Sequence, residues 1–276
     1  MAVTPNLNYT TGFRVKASFQ IGVHIKDLAL LEQIKSFFAR GHISKLGLES
    51  IQYRVTGIND LIVIVNHFER FSLITCKKHD YWLFKQAVVL IAQKKHLTVE
   101  GLEQIISIKA SLNTQKISHN LKLSFPNLVA AFKPEISHLQ INNLHWLTGF
   151  TDAEGCFFIA LKKSRQSKLG ETVWLRFILT QHVRDKHLLQ SLISTLNCGR
   201  YIQKSGCGEF IVEKFSDVYT KIIPIFDEFK LHGIKSDNFE DFKKVALMIK
   251  DKHHLTRKGL DEIKKIKGNM NKSRNY

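Results

Sequence analysis

The chain has 276 residues, 44% of them hydrophobic, which is enough for one large domain or two modest ones with cores of their own. Lysine and arginine number 41 against 24 acids, and the formal charge of +17 points to a polyanionic partner. No apolar run approaches the roughly 20 residues of a membrane span, the N-terminus lacks the apolar core of a secretory signal, and Cys76, Cys156, Cys198 and Cys207 form no CxxC pair or zinc-finger spacing, so they read as reduced thiols outside the secretory route.

The first patterned stretch is 14–21. Arg14, Lys16, Ser18 and Gln20 alternate with Val15, Ala17, Phe19 and Ile21, the period of a strand with one polar face. A helix follows, opened by Asp27 as N-cap and closed near Gly41, with Leu28, Leu31, Ile34 and Phe38 as its apolar stripe. A further strand is expected over about 50–56, and two more helices from near Tyr81 and near Leu102.

The same order then returns. At an offset of 158, Phe19 meets Phe177, His24 meets His182, Asp27 meets Asp185, Gly41 meets Gly199, Phe68 meets Phe226, Lys77 meets Lys235, and Asn113 meets Asn271. One indel and its compensation fall between Gly41 and Phe68. The second copy carries its own alternating strand, Thr172, Trp174, Arg176, Ile178 and Thr180 against Val173, Leu175, Phe177 and Leu179, then strand over 209–213 and helices near Phe239 and Leu260. The domains are therefore expected at 1–114 and 144–276. The linker between them, 115–143, contains Pro126 and Pro134 and an apolar stretch over 128–132 that reads as a helical turn on the surface.

The polar strand faces suit a duplex. In the major groove Arg can fork to guanine and Gln to adenine, while surrounding lysines fix the position of the backbone without reading sequence. An ordinary solvated sheet face has the same alternation. What favours the duplex is the charge surplus and the duplication, since a doubled sheet matches the twofold symmetry of DNA. His24 and His182, at strand ends just ahead of helices, read as structural.

The segment WLTGFTDAEGCFF over 146–158 carries the chemistry. Gly149 and Ala153 are four apart, hence on one helix face where small side chains let a second helix approach closely. Glu154 follows at the helix end, beside Gly155. The segment resembles the LAGLIDADG motif, with Leu147, Gly149, Asp152, Ala153, Glu154 and Gly155 on motif positions. TQHVRD, CGRY, FEDF and the HLT…GL…IKK…MNK ending extend the likeness to the single-chain, two-repeat homing endonucleases of fungal organelles over nearly the whole chain.

That resemblance implies an α+β fold of two pseudo-symmetric, αββαββα-like repeats, each a curved antiparallel sheet backed by helices. It implies site-specific cleavage of double-stranded DNA by phosphodiester hydrolysis. Glu154 would be catalytic and, with Gly155, would hold Mg2+ or Mn2+; Lys235 is the second catalytic candidate. Arg14, Lys16, Ser18, Gln20, Thr172, Trp174, Arg176, Ile178 and Thr180 would contact DNA, and Gly149 and Ala153 would pack the motif helix. The expected setting is a mitochondrion and an organelle intron, with a monomer as the working form, no membrane partner, and a homodimer through the motif helix as the other arrangement. Some members of the family act as maturases, so intron RNA stands as an alternative partner.

The first repeat departs from this pattern. The offset carries Glu154 to position −4, ahead of Met1, and the chain has no acid before Asp27. Thr11-Gly12-Phe13 echoes Thr148-Gly149-Phe150 without an acid after it. The first motif helix, its carboxylate and the strand after it are therefore expected to be absent or degenerate, through truncation of a longer reading frame, through decay to an element that still binds DNA, or with a second chain supplying the partner helix; the first two leave double-strand cleavage weak or lost.

Overall fold

The computed structural model describes residues 1–112, 117–133, 141 and 143–271. It divides into two compact units, Met1–Ser137 and His138–Tyr276, with the division inside the segment expected as a linker.

In the first unit β1 (Ala2–Pro5) and β2 (Phe13–Lys16) form an antiparallel pair. Then come β3 (Phe19–His24), α1 (Leu28–Phe38), β4 (His42–Lys45), β5 (Ser50–Val55), α2 (Ile58–Arg70), α3 (Lys77–Ala92), α4 (Val99–Ser111) and the short α5 (His119–Ser124). The strand order of the second sheet is β3-β5-β4. Alternation decides which face is covered: Ile51, Tyr53 and Val55 are buried against Leu31, Leu61, Ile64 and Val88, while Ser50, Gln52 and Arg54 lie on the other face.

The second unit opens with α6 (Leu144–Glu154), followed by β6 (Gly155–Lys163), β7 (Glu171–His182), α7 (Lys186–Leu196), β8 (Arg200–Gln203) and β9 (Cys207–Val212). A helical run follows, α8 (Phe215–Asp217) through a π-turn (Val218–Ile222) into α9 (Ile223–Glu228), then α10 (Lys235–Lys250) and α11 (Arg257–Gly268). The sheet order is β6-β7-β9-β8, all antiparallel. Its core is aromatic: Phe157 packs on Phe177, Phe226, Phe239 and Phe242, the last at 5.3 Å between centroids. Both units are thus antiparallel sheets covered by helices, the α+β repeat expected.

Strand register corrects the reading of the N-terminus. Ala2 pairs with Lys16 and Ala160 with Trp174, so both members of the pair stand 158 apart in the two units. The strand after the first motif helix is therefore present in its last four residues, as β1. Gly12 (φ 73°) and Gly170 (φ 75°) are the matching left-handed turn residues of the two hairpins. Thr11-Gly12-Phe13 is that turn and no relic of the motif. The strand expected over 14–21 is broken at Ala17 and Ser18, between β2 and β3. Their equivalents Leu175 and Arg176 pair with Ile159 and Phe158, and β7 runs unbroken.

The indel and its compensation also have structural positions. Phe19 pairs with Val55 but Phe177 with Val212, an offset of 157 on the second strand, so the turn between β8 and β9 is one residue shorter than that between β4 and β5. Ile58 and Phe215 open the next helices at that offset, yet Phe68 and Phe226 have returned to 158. The extra residue of the second helix is taken up by the π-turn, which widens one turn of the ladder and lets the helix continue.

Several local expectations change. Asp27 and Asp185 make no side-chain cap bond; each ends a 3-10 turn whose cap is the preceding histidine, His24 Nδ1 accepting from Lys26 N and His182 Nδ1 from Arg184 N, both at 3.2 Å. The later helices begin earlier than expected, at Lys77, Val99, Lys235 and Arg257. Thr98 and Thr256 cap two of them by accepting from Gly101 N and Gly259 N. α2 and its counterpart, and the short strands β4 and β8, were not expected: β4 and β8 are only four residues long, and the continuous apolar run over 61–65 hides the helical stripe of α2.

No helix forms over 128–132. The helical turn lies upstream, in α5, with Leu121 buried against Val3, Leu102 and Ile105. Ala131 instead lies along α4, its N–H donating to Ser107 O and its carbonyl accepting from Ser111 Oγ. Pro134 and Asn113 fall outside the described residues. Among the described residues no helix is long and apolar enough to cross a membrane.

Candidate functional site

The motif segment forms α6. Asn143 caps its start by accepting from His145 N at 2.8 Å, and Leu147, Thr148 and Thr151 form its buried face. Thr148 Oγ1 donates to the carbonyls of Leu144 and Phe229, and His145 meets the Phe229 ring edge-on at 4.9 Å. The opposite face carries Gly149 and Ala153, both exposed in this unit; a Cβ added at Gly149 would meet nothing within 4 Å. The small-residue face read from the sequence is thus on the surface of its own unit.

The C-terminal tip is held by two side chains. Asp152 accepts from His232 N at 2.9 Å and from Gly233 N at 3.1 Å, which ties the last turn of α6 to the loop before α10. Burial pushes its carboxyl above the ordinary carboxylate range, outweighing the backbone hydrogen bonds and the nearby His232 and Lys235, which pull the other way. The ammonium of Lys235 donates to Asp152 O and Ala153 O, each at 2.8 Å. A cation on the last carbonyls of a helix satisfies their lone pairs and complements the negative end of the dipole. Lys235, expected as a catalytic group, therefore grips the helix end one residue from Glu154. Its repeat mate Lys77 is 3.3 Å from Asp80 on its own helix.

Gly155 ends the helix and starts β6. A Cβ there would lie 2.5 Å from Thr151 Cγ2 and 2.7 Å from Thr151 O, so this tight passage from helix to strand admits only glycine. The consequence is that Glu154 is exposed at the tip, one residue before the sheet. Among the described residues no hydrogen-bond or ion-pair partner takes its carboxylate, and no group of three His, Cys, Asp or Glu side chains could hold a metal ion. An open oxygen ligand of this kind fits a hard divalent cation that draws its other ligands from phosphate and water.

The sheet faces carry the groups read from the strands. Arg14, Lys16 and Gln20 are exposed and Ser18 is half-buried in the first unit. In the second, Trp174 is 40% exposed, its indole N–H donating to Thr172 Oγ1 at 3.2 Å and its ring lying 4.4 Å under Lys162 Nζ. Ile178 and Thr180 continue that face, half-buried. Arg176 is not a lone groove reader: its Nε lies 3.1 Å from Glu213 Oε2, and the same carboxylate holds Arg200. Sequence reading missed Asp152 and Lys235 as clamps because their partners are backbone groups 80 or more residues away. It missed Arg200, Glu209 and Glu213 because β8 and β9 are short, though two acids in a basic strand region were a visible anomaly.

The second unit thus sets an acidic helix tip directly ahead of an antiparallel sheet, and the first unit repeats the sheet and the helices that follow it. The LAGLIDADG endonuclease family model matches residues 2–88 and 147–246, and the chain belongs to that family. A probable intron-encoded endonuclease of Neurospora crassa is 39% identical over 286 residues, covering 98% of this chain and 61% of its own. A second from the same fungus is 34% identical, covering 96% and 50%. The chain thus spans between half and two thirds of the length of these curated relatives. Among solved structures, the I-SmaMI homing endonuclease bound to cleaved DNA is 42% identical with a TM-score of 0.96, covering 99% of this chain and 92% of its own. The same enzyme bound to an uncleaved target in the presence of calcium ions gives 0.94.

Proposed function

We propose that this protein is a site-specific, metal-dependent endonuclease of double-stranded DNA, encoded in an organelle intron and working in the mitochondrion. The observation that carries this reading is the tip of α6: an exposed Glu154 carboxylate, held by the Asp152 and Lys235 contacts at the point where the chain enters a basic sheet. The neighbours on DNA and the intron-encoded relatives support the substrate and the setting.

The residues divide the work. Arg14 and Lys16 on β2, Ser18 at the break after it and Gln20 on β3, with Thr172, Trp174, Arg176, Ile178 and Thr180 on β7, hold and read the duplex. Glu154, with the Gly155 backbone beside it, would hold Mg2+ or Mn2+, which supplies charge to the scissile phosphate and an acidified water. Lys235 acts through the tip it positions. Gly149 and Ala153 offer the face on which a second motif helix packs, and the working form is a monomer.

The alternative reading is a binder that keeps the groove contacts without double-strand cleavage. Cleavage of a plasmid library of random inserts with Mg2+ separates the two. A nuclease gives Mg2+-dependent double-strand breaks that Glu154→Gln abolishes, with DNA affinity kept. A binder gives none before or after that change. Tighter binding of intron RNA than of duplex DNA at matched salt would favour the maturase role instead.

A further inference from the structure

The outer face of the second sheet carries acids, which is unusual for a surface meant for a polyanion. Glu213 directly follows β9, and the register that pairs Val212 with Phe177 brings it opposite Arg176. Arg200, on β8, is paired with Ile211, the residue two before Glu213 on the same face. The carboxylate lies between the two guanidinium groups: Oε1 accepts a hydrogen bond from Arg200 Nη1 at 2.5 Å, and Oε2 is ion-paired with Arg176 Nε at 3.1 Å without hydrogen-bond geometry, both of these last atoms being buried. Those two arginines hold its carboxyl below the ordinary carboxylate range, Arg200 foremost, against the pull of burial. A cavity of about 370 Å3 opens beside Trp174, Arg200 and Glu213.

The repeat folds without this arrangement. At the offsets fixed by register, the first unit has Ser18 for Arg176, His42 for Arg200 and Thr56 for Glu213. The trio is therefore particular to the second unit and not a part of the scaffold.

We infer that Glu213 is a positioning residue for sequence recognition, holding Arg176 and Arg200 as forks that read guanine in the half-site under the second sheet. This rests on the reading of the sheet as a DNA-binding face. An unpaired acid there would repel phosphate; between two arginines it leaves the trio with a net positive charge. A guanidinium is planar with five N–H donors, so fixing one edge on a carboxylate orients the rest for bidentate contact with guanine O6 and N7.

The test enriches a randomised duplex library on the wild-type protein and on Glu213→Gln, Arg176→Ala and Arg200→Ala, each shown to melt like wild type. Wild type should enrich sites with guanine at one or two positions of one half-site. Glu213→Gln should lower that guanine preference about tenfold, the order set by one bidentate pair, and leave other positions and total affinity for mixed DNA undiminished. Each arginine variant should lose preference at the same positions. An unchanged Glu213→Gln profile overturns the inference. So does a preference lost in Glu213→Gln that both arginine variants keep, which would mean that the carboxylate contacts the base itself. So does an even loss over all positions. No enrichment by wild type overturns it together with the DNA reading beneath it.

Discussion

Asp152→Ala should destabilise the second unit by about 2–3 kcal/mol. The side chain accepts two backbone hydrogen bonds, from His232 N at 2.9 Å and Gly233 N at 3.1 Å. Bonds to a charged acceptor contribute about 1.5–3 kcal/mol each. Two effects lower the sum. His232 is exposed, so water can replace the carboxylate on its N–H, while Gly233 is buried and its N–H would be left without a partner. The cost of burying the carboxylate, which raises its pKa, is also recovered on its removal. At about 3 °C per kcal/mol for a unit of this size, the unfolding transition of the second unit should fall by about 6–9 °C in scanning calorimetry. Asp152→Asn, which keeps one acceptor oxygen, should lose roughly half as much. The pH dependence has a definite sign. The folded-state pKa is raised, so the stability due to Asp152 is full below the ordinary carboxylate value and declines as pH rises through the folded value. The gap between wild type and Asp152→Ala should therefore be wider in acid than at neutral pH. A variant melting within about 1 °C of wild type would refute the clamp.

Two further outcomes follow from the same geometry. Burial lowers the pKa of His67, His96 and His254, so their neutral forms stabilise the fold above the ordinary histidine value. The melting temperature should decline between about pH 7 and pH 5. His67→Phe, placed among Phe37, Phe38, Phe68 and Phe71, should reduce the slope, and an unaltered slope would count against the assignment. Gly155→Ala should cost about 1–3 kcal/mol through its clash with Thr151 and should lower any cleavage activity more than DNA affinity, because the Glu154 tip moves. Thr151→Ser in the same chain should restore only part of the stability, since it removes Cγ2 but leaves the carbonyl at 2.7 Å.

Much of this was legible in the residues because it is local or repeated. The duplication, the alternating faces of β2, β3 and β7, and the helical motif with its acidic tip are patterns of period 158, 2 and 3.6. A chain that obeys them has few other ways to bury its apolar side chains. The missed elements were short or masked. β4 and β8 are four residues long and offer no period to count, while in α2 the continuous apolar run over 61–65 reads as a strand and hides the helical spacing of Leu61, Ile64, Val65 and Phe68.

Tertiary structure alone decided the rest, wherever a side chain found its partner far along the chain. Sequence placed Glu154 at a helix end, but only folding brought the loop at His232 and Gly233 and the Lys235 ammonium to that end, because backbone donors and acceptors carry no mark in the sequence. Register likewise turned Gly12 from an echo of the motif into a hairpin turn. Pairing, which ties each residue to one partner across the sheet, is fixed by which faces must be buried and not by any one segment.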